Sequence, residues 1–278
     1  MKLLLHAGPM KTGSTAFQDL LFCNQELLAE RGIHFRWLNR HYLSHLAEVL
    51  EEEQRHRPAV LVVSHECLCR SNADDLRSLL SQVSGTCHAF LVARPLRELY
   101  PSLYLQNLKG HVMRTTSYED FLTEQKARDR APELASKGQV FDFAYLQSAL
   151  EKAGCTVSWV RFSKDNLLYV LVRRLSQLAG VPLLWEELVP PPPPTGLNPR
   201  RSLVPEVADV ACQLNKLCRN GAVSDSARQE LLVALLNTSE LVQEMRSGRD
   251  PLRNAYDREL DALDDEINGA FWRQFSDK

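Results

Sequence analysis

Short apolar runs alternate along the chain with longer segments in which apolar positions recur at helical spacing. The short runs predict buried strands at residues 3–7, 59–64, 89–93 and 156–161. Strands that alternate with helices form a mainly parallel sheet, because each connection has to cross back over the sheet. The pattern therefore predicts an α/β fold, with a mainly parallel central sheet flanked by helices.

The first predicted helix begins at Ser14, ends at Arg31 and Gly32, and follows the first strand after a short loop. The acidic run at residues 51–53 is expected on the solvated face of another helix. Later helices are predicted at residues 74–83, 95–110, 118–128, 143–153, 164–179, 204–218, 226–245 and 252–275.

A tract of five prolines at residues 190–194 marks a change in the organisation of the chain. Such a tract favours a stiff polyproline II segment over a helix or a central strand. We expect one domain over residues 1–278. Within it, residues 1–189 form the α/β core, residues 190–202 a proline-rich connector with a basic loop, and residues 203–278 a helical C-terminal extension.

Composition narrows the class of protein further. The chain has 278 residues, 44% hydrophobic residues and a formal net charge of −2, which excludes a disordered protein and a global basic field for nucleic acid or membranes. Its apolar runs are shorter than the ~20 residues that span a bilayer. Seven cysteines, odd in number and scattered, favour reduced thiols over a disulfide framework. We therefore expect a cytoplasmic protein without a membrane span.

The strongest local signal is the loop Gly8-Pro9-Met10-Lys11-Thr12-Gly13-Ser14-Thr15, between a predicted strand and a predicted helix. Backbone N–H groups and the helix dipole make such a loop an anion site. Its glycine spacing matches a Walker A loop, but Ser14 follows Gly13 and the lysine stands at position 11. An ordinary glycine-containing turn remains an alternative.

A second signal follows the predicted strand at residues 89–93. Arg94 stands at the end of that strand, and Ser102 is two helical turns further on. Both side chains could approach one anion in the crevice where open α/β sheets bind ligands. A solvated arginine and a serine bonded to its own helix remain the alternative.

Together, the two signals resemble the PAPS-dependent sulfotransferase family and, more loosely, its bacterial members. The resemblance covers about the first 110 residues. It implies a P-loop NTPase-like sulfotransferase fold, 3′-phosphoadenosine 5′-phosphosulfate (PAPS) as donor, PAP as product, and no metal. By this resemblance Lys11, Thr12, Gly13, Ser14 and Thr15 hold the 5′-phosphosulfate, whereas Arg94, Ser102 and the late basic pair Arg200 and Arg201 hold the 3′-phosphate.

We expect Lys11 to stabilise the phosphate that leaves during sulfuryl transfer. Sulfuryl transfer also needs a base for the acceptor, and family members place a His or a Glu near the end of the strand at residues 59–64. His65 and Glu66 are both candidates, and Glu66 is preferred because the carbohydrate-modifying members use a glutamate. A purely structural role remains the alternative for each.

The sequence thus predicts transfer of a sulfuryl group from PAPS to a hydroxyl or amine of a small-molecule or carbohydrate acceptor. Two alternatives remain: a P-loop nucleoside or sugar kinase, and a non-catalytic nucleotide-binding scaffold. The displaced lysine and the lack of an obvious acidic metal ligand disfavour the kinase, whose chemistry uses a metal to neutralise charge. The acceptor stays open, and a monomer and a homodimer are both compatible with the composition.

Overall fold

A computed structural model describes residues 1–38, 41–109, 112–134, 140–191, 203–204, 207–245 and 251–276 of the chain. The chain divides into two compact units. Unit 1 comprises residues 1–94, 137–192 and 270–278, and unit 2 comprises residues 95–136 and 193–269.

Unit 1 is built on a sheet whose described strands all run parallel. The strands are β1 (Lys2–His6), β2 (Ile33–Trp37), β3 (Val60–Ser64), β4 (Cys87–Ala93) and β5 (Thr156–Arg161). Their order is β2-β3-β1-β4-β5, so the direction of strand addition reverses at β1. Helices flank the sheet, and the prediction of an α/β fold with a mainly parallel sheet is confirmed.

The described helices follow the predicted ones closely. They are α1 (Ser14–Cys23), α2 (Gln25–Glu30), α3 (Tyr42–His56), α4 (Ala73–Leu80), α5 (Leu96–Lys109), α6 (Tyr118–Arg130), α7 (Phe143–Lys152), α8 (Leu167–Ala179), α9 (Ala208–Arg219), α10 (Asp225–Met245) and α11 (Pro251–Ser276). Among the described residues, none of these helices is both long and apolar enough to cross a membrane.

Three sequence predictions were wrong in detail. The pattern missed β2, an edge strand whose buried Ile33 and Phe35 alternate with more exposed residues. The helix predicted from Ser14 to Gly32 is interrupted at Asn24, whose side-chain Nδ2 donates to the carbonyl oxygens of Leu20 and Val189. The acidic run is not wholly solvated, because the Glu53 side chain is fully buried.

The core of unit 1 joins α1 and α8 to the sheet. Buried Phe17 and Leu21 of α1 belong to one apolar cluster with Phe90 of β4 and with Leu171 and Leu175 of α8. α1 therefore presents an apolar face to the sheet, and residues 7–13 connect the end of β1 to its first residue. Burial of this face fixes the position of the loop before α1.

Unit 2 consists of α5, α6, α9, α10 and most of α11. Pro101 lies inside α5, and the helix continues through it. Asn215 of α9 donates from Nδ2 to the carbonyl oxygens of Leu108 and Arg114, both at 2.8 Å. Arg228 of α10 donates in turn to Asn215 Oδ1 at 2.7 Å. These hydrogen bonds connect α9 and α10 to the end of α5 and to the segment that follows it.

Candidate anion-binding site

The loop between β1 and α1 has an unusual backbone. Gly8 and Gly13 both have φ of 84°, and Lys11, which is not a glycine, has φ of 64°. A left-handed conformation costs a residue with a Cβ about 1–2 kcal/mol, and such strain concentrates at functional sites. Lys11, which the sequence assigned to the anion, is thus one of three non-glycine residues with positive φ in the described part of the chain.

Two hydrogen bonds hold this strained loop. Thr12 Oγ1 donates to the carbonyl oxygen of Pro9 at 2.6 Å, and Arg94 Nη1 donates to the carbonyl oxygen of Lys11 at 2.7 Å. The Arg94 side chain is buried, with its guanidinium carbon 4.3 Å from the centre of the Phe162 ring. Arg94 therefore supports the loop through the backbone of Lys11.

The start of α1 lacks a side-chain cap. Gly13 occupies the cap position without a capping side chain, and the first turn contains no acidic residue. The first N–H groups of a helix have no partner within the helix and carry a partial positive charge, so they favour an anion. Lys11 adds a cationic side chain three residues before Ser14, the first residue of this helix.

Gly8 allows the turn after β3 to approach the loop closely. A Cβ at Gly8 would lie 2.2 Å from the carbonyl oxygen of Glu66, which is far inside contact distance. The N–H of His65 donates to the His6 carbonyl oxygen at 3.1 Å, and the N–H of Cys69 donates to the Ala7 carbonyl oxygen at 3.2 Å. Backbone contacts alone therefore bring Glu66 to the end of β1.

Burial and two charged neighbours, Glu66 and Arg94, act on the pKa of Lys11. Burial lowers the pKa of Lys11 most, the Arg94 charge lowers it further, and the Glu66 charge acts in the opposite direction. The structure thus brings together Lys11, Glu66 and Arg94, which the sequence placed after three different strands.

His65 is held in a defined state beside Glu66. Its Nδ1 lies 3.0 Å from the backbone N of Cys67, and its ring stacks on Tyr42 at a centroid distance of 4.7 Å. A backbone N–H can only donate, so Nδ1 must be the acceptor. The neutral ring then carries its proton on Nε2, and the lone pair of Nδ1 is already engaged.

A buried polar chain that the sequence did not single out lies at the ends of β1 and β3. His6 Nδ1 and Gln18 Nε2 each lie 2.8 Å from Ser64 Oγ, and all three side chains are buried. Phe17 and Phe90 contact the His6 ring. Burial lowers the pKa of His6 to about 4, so its ring is neutral at pH 7. A histidine ending an otherwise apolar strand was the available signal.

The other predicted site residues have different positions. Thr12 and Ser14 are buried, whereas Gly13 and Thr15 are half-buried at the helix start. Ser102 is half-buried on α5 in unit 2, and Arg200 and Arg201 lie outside the described residues. Their ligand contacts stay predictions. Within the described part of the chain, no three His, Cys, Asp or Glu residues are grouped so that they could hold a metal ion.

Fold and site together define a parallel α/β protein with a candidate anion site at the carboxyl edge of its sheet. No protein-family model matches the chain, and no curated protein matches it. A solved structure of a sulfotransferase from Alicyclobacillus acidocaldarius matches with a TM-score of 0.41 and 13% identity, covering 83% of this chain and 95% of that chain.

Proposed function

We propose that this chain is a PAPS-dependent sulfotransferase that acts on a hydroxyl or amine of a small-molecule or carbohydrate acceptor in the cytoplasm. The observation that carries the proposal is the meeting of Lys11, Glu66 and the uncapped start of α1 at one end of β1. A cation, a carboxylate and a row of N–H donors are the groups that this transfer requires.

The hydrogen-bond donors at the start of α1 suit the phosphosulfate end of PAPS. The first N–H groups of α1, the Thr15 hydroxyl and the Lys11 ammonium are all hydrogen-bond donors suited to an anion. PAPS supplies the activated sulfuryl group. Lys11 stabilises the negative charge that develops on the 5′-phosphate as its bond to sulfur breaks, which is the role of a preorganised cation in catalysis.

We assign the base to Glu66 rather than to His65. The carboxylate takes the proton of the acceptor while the acceptor oxygen or nitrogen forms its bond to sulfur, and PAP leaves. His65 uses Nδ1 to accept from the N–H of Cys67, so it would have to break that hydrogen bond or exchange tautomers before it could act. His65 is therefore a positioning residue that holds the turn containing Glu66.

We assign two roles to Arg94. It supports the carbonyl oxygen of Lys11, as described above, and with Ser102, Arg200 and Arg201 it binds the 3′-phosphate of the donor. This second task rests on the family resemblance of these residues. It predicts that PAP, which carries both phosphates, binds more tightly than adenosine 5′-phosphate.

The first experiment is a calorimetric titration with PAP and, separately, with ATP and magnesium. Wild-type protein is compared with Lys11→Met, which removes the charge and keeps the side-chain stem, and with Lys152→Met, at an exposed residue of α7. We expect PAP to bind the wild type and Lys152→Met equally, and Lys11→Met at least tenfold more weakly. ATP binding with no response to PAP would favour the kinase.

The second experiment measures PAP release from PAPS with a panel of hydroxyl and amine acceptors. Removal of one general base typically slows the chemical step by 10²–10⁴-fold, and we expect this of Glu66→Gln with unchanged PAP affinity. His65→Asn, which keeps a hydrogen-bond acceptor, should retain most activity. PAP binding that is insensitive to Lys11→Met, without turnover of any acceptor, would instead indicate the non-catalytic scaffold.

A further inference from the structure

The outer edge of β5 is open in the described part of the chain. β5 ends the sheet and pairs with β4 alone. The N–H of Phe162 donates to the Ala93 carbonyl oxygen at 2.8 Å, so this residue and alternate residues before it face β4. Val157, Trp159 and Arg161 therefore direct their backbone N–H and C=O groups away from the sheet. Such an edge is a template for a further strand.

A groove of about 690 Å³ lies at this edge, and residues 157–161 are part of its lining. Arg173, Arg174 and Gln177 of α8 line the groove, as do Gln147 of α7 and residues near the end of α11. All these lining residues belong to unit 1. The groove is therefore lined by one edge strand and by side chains of three helices.

The groove is strongly basic. Arg161, Arg173 and Arg174 line it, and its described lining contains no Asp or Glu. None of these three arginines forms an ion pair with another described residue. Arg174 instead makes long contacts of 3.4 Å to Ser158 Oγ and Gln177 Oε1. Since the chain has a formal net charge of −2, this positive patch is a local feature.

Aromatic side chains add an apolar surface to the basic one. The half-buried Trp159 supplies this surface, and its ring packs on the buried Phe271 at a centroid distance of 4.9 Å. Side chains of an added strand point alternately to its two faces, so an extended peptide could place apolar groups on this surface while its acidic groups meet arginines. Main-chain hydrogen bonds would supply affinity, and the side chains would supply specificity.

We propose that the groove along β5 binds an extended acidic peptide segment of a partner protein, which adds to the sheet beside β5. The positive charge of the groove favours an acidic peptide over a second copy of the chain. Two copies joined edge to edge through β5 would bring two sets of Arg161, Arg173 and Arg174 together, and like charges at an interface oppose association. The proposal is independent of the sulfotransferase assignment and concerns a different part of the sheet from Lys11.

The test uses the full chain and a fluorescein-labelled peptide of four Glu-Val repeats in an anisotropy titration. Matched peptides carry Lys in place of Glu, or N-methyl groups on alternate backbone nitrogens. We expect the Glu peptide to bind, the Lys peptide not to bind, and the N-methylated peptide to bind at least tenfold more weakly. Hydrogen exchange of residues 156–162 should slow when the Glu peptide is present.

Variants locate the site. Arg161→Ala with Arg173→Ala should weaken binding of the Glu peptide at least tenfold, whereas Arg55→Ala, at an exposed arginine of α3, should leave it unchanged. Equal binding of the N-methylated peptide would overturn strand addition and leave only charge attraction. No binding of the Glu peptide, or a dimer in light scattering that Arg161→Ala with Arg173→Ala disrupts, would overturn the proposal as well.

Discussion

At the scale of single residues, buried polar side chains hold the candidate site in place. Arg94 bonds to the backbone of Lys11, and His6 lies within hydrogen-bond distance of Ser64. Both are far less exposed than their residue types usually are, so each needs the partner that the fold supplies. These partners come from distant parts of the sequence. The local pattern could therefore predict that Arg94 and His6 lie at strand ends, but not which groups they contact.

His6 gives a pH-dependent prediction. Its pKa is about 4 in the folded chain, against 6.5 for an ordinary imidazole, so the unfolded chain gains a proton first as the pH falls. The free energy of unfolding should therefore decrease from pH 6.5 toward pH 4. Linkage gives a loss of about 2 kcal/mol between pH 7.5 and pH 5. Urea unfolding at both pH values measures it.

The matched control is His6→Asn, which keeps a polar group facing Ser64 and has no titration in this range. Other groups contribute to the pH dependence of both proteins, so the difference between them isolates His6. If the two proteins lost equal stability between pH 7.5 and pH 5, the buried neutral state of His6 would be refuted.

The cysteines give a second prediction at the residue scale. A hydrogen bond with Cys155, at 3.1 Å between the sulfur atoms, and burial both raise the pKa of Cys87 well above its usual range. Cys23 is exposed. Because the thiolate is the reactive form, we expect iodoacetamide to modify Cys23 at least tenfold faster than Cys87 at pH 8. Peptide mapping by mass spectrometry measures both rates, and similar rates would contradict this expectation.

At the scale of elements, the position of a strand in the sheet determines both its neighbours and how clearly the sequence predicts it. Two elements that the apolar runs identified, β1 and β3, end side by side, since His6 pairs with Ser64 in the register of the sheet. β2 was missed because only alternate residues of this edge strand are deeply buried, so it lacks a continuous apolar run. It is placed by its pairing with β3, and Arg36 Nε also donates a hydrogen bond to Glu53 of α3.

Glycine substitutions test the packing of the loop against the turn after β3. Gly8 and Gly180 both have positive φ, 84° and 73°, but an added Cβ meets the Glu66 backbone at Gly8 and nothing within 4 Å at Gly180. Gly180→Ala should cost about 1 kcal/mol from backbone strain alone. Gly8→Ala should cost at least about 2 kcal/mol more, since backbone atoms must move. Equal losses in urea unfolding would argue against the close approach.

Glu53 links β2 to α3 and gives a second prediction at this scale. Burial tends to raise the pKa of Glu53, but hydrogen bonds with Arg36 and His34 and their charges outweigh it, so the pKa is lowered. Glu53→Gln weakens these charge-assisted hydrogen bonds and should cost about 1–3 kcal/mol. Glu52→Gln, at an exposed residue that also contacts Arg36, should change stability by less than about 0.5 kcal/mol. Thermal unfolding of both variants at pH 7 compares them, and equal effects would contradict a specific role for Glu53.

At the scale of the whole molecule, the sequence predicted the class of fold better than the geometry of the site. Buried parallel strands carry a strong local signal, because both faces are apolar. The meeting of Lys11 with Glu66 depends on sheet order and on the close approach at Gly8, which follow from long-range packing. The role of Arg94 in holding the loop likewise required the structure, because its partner is a backbone carbonyl group 83 residues away.

The interleaving of the two units gives the last prediction. The chain leaves unit 1 after residue 94, returns at 137, leaves again after 192 and returns at 270, so neither unit is one continuous segment. α11 contributes residues to both units, and unfolding of unit 2 would therefore remove most of a helix whose end belongs to unit 1. We propose that residues 1–278 unfold as one domain. Calorimetry should show a single transition whose van't Hoff and calorimetric enthalpies agree. Two resolved transitions, or a van't Hoff enthalpy well below the calorimetric one, would show instead that the units unfold separately.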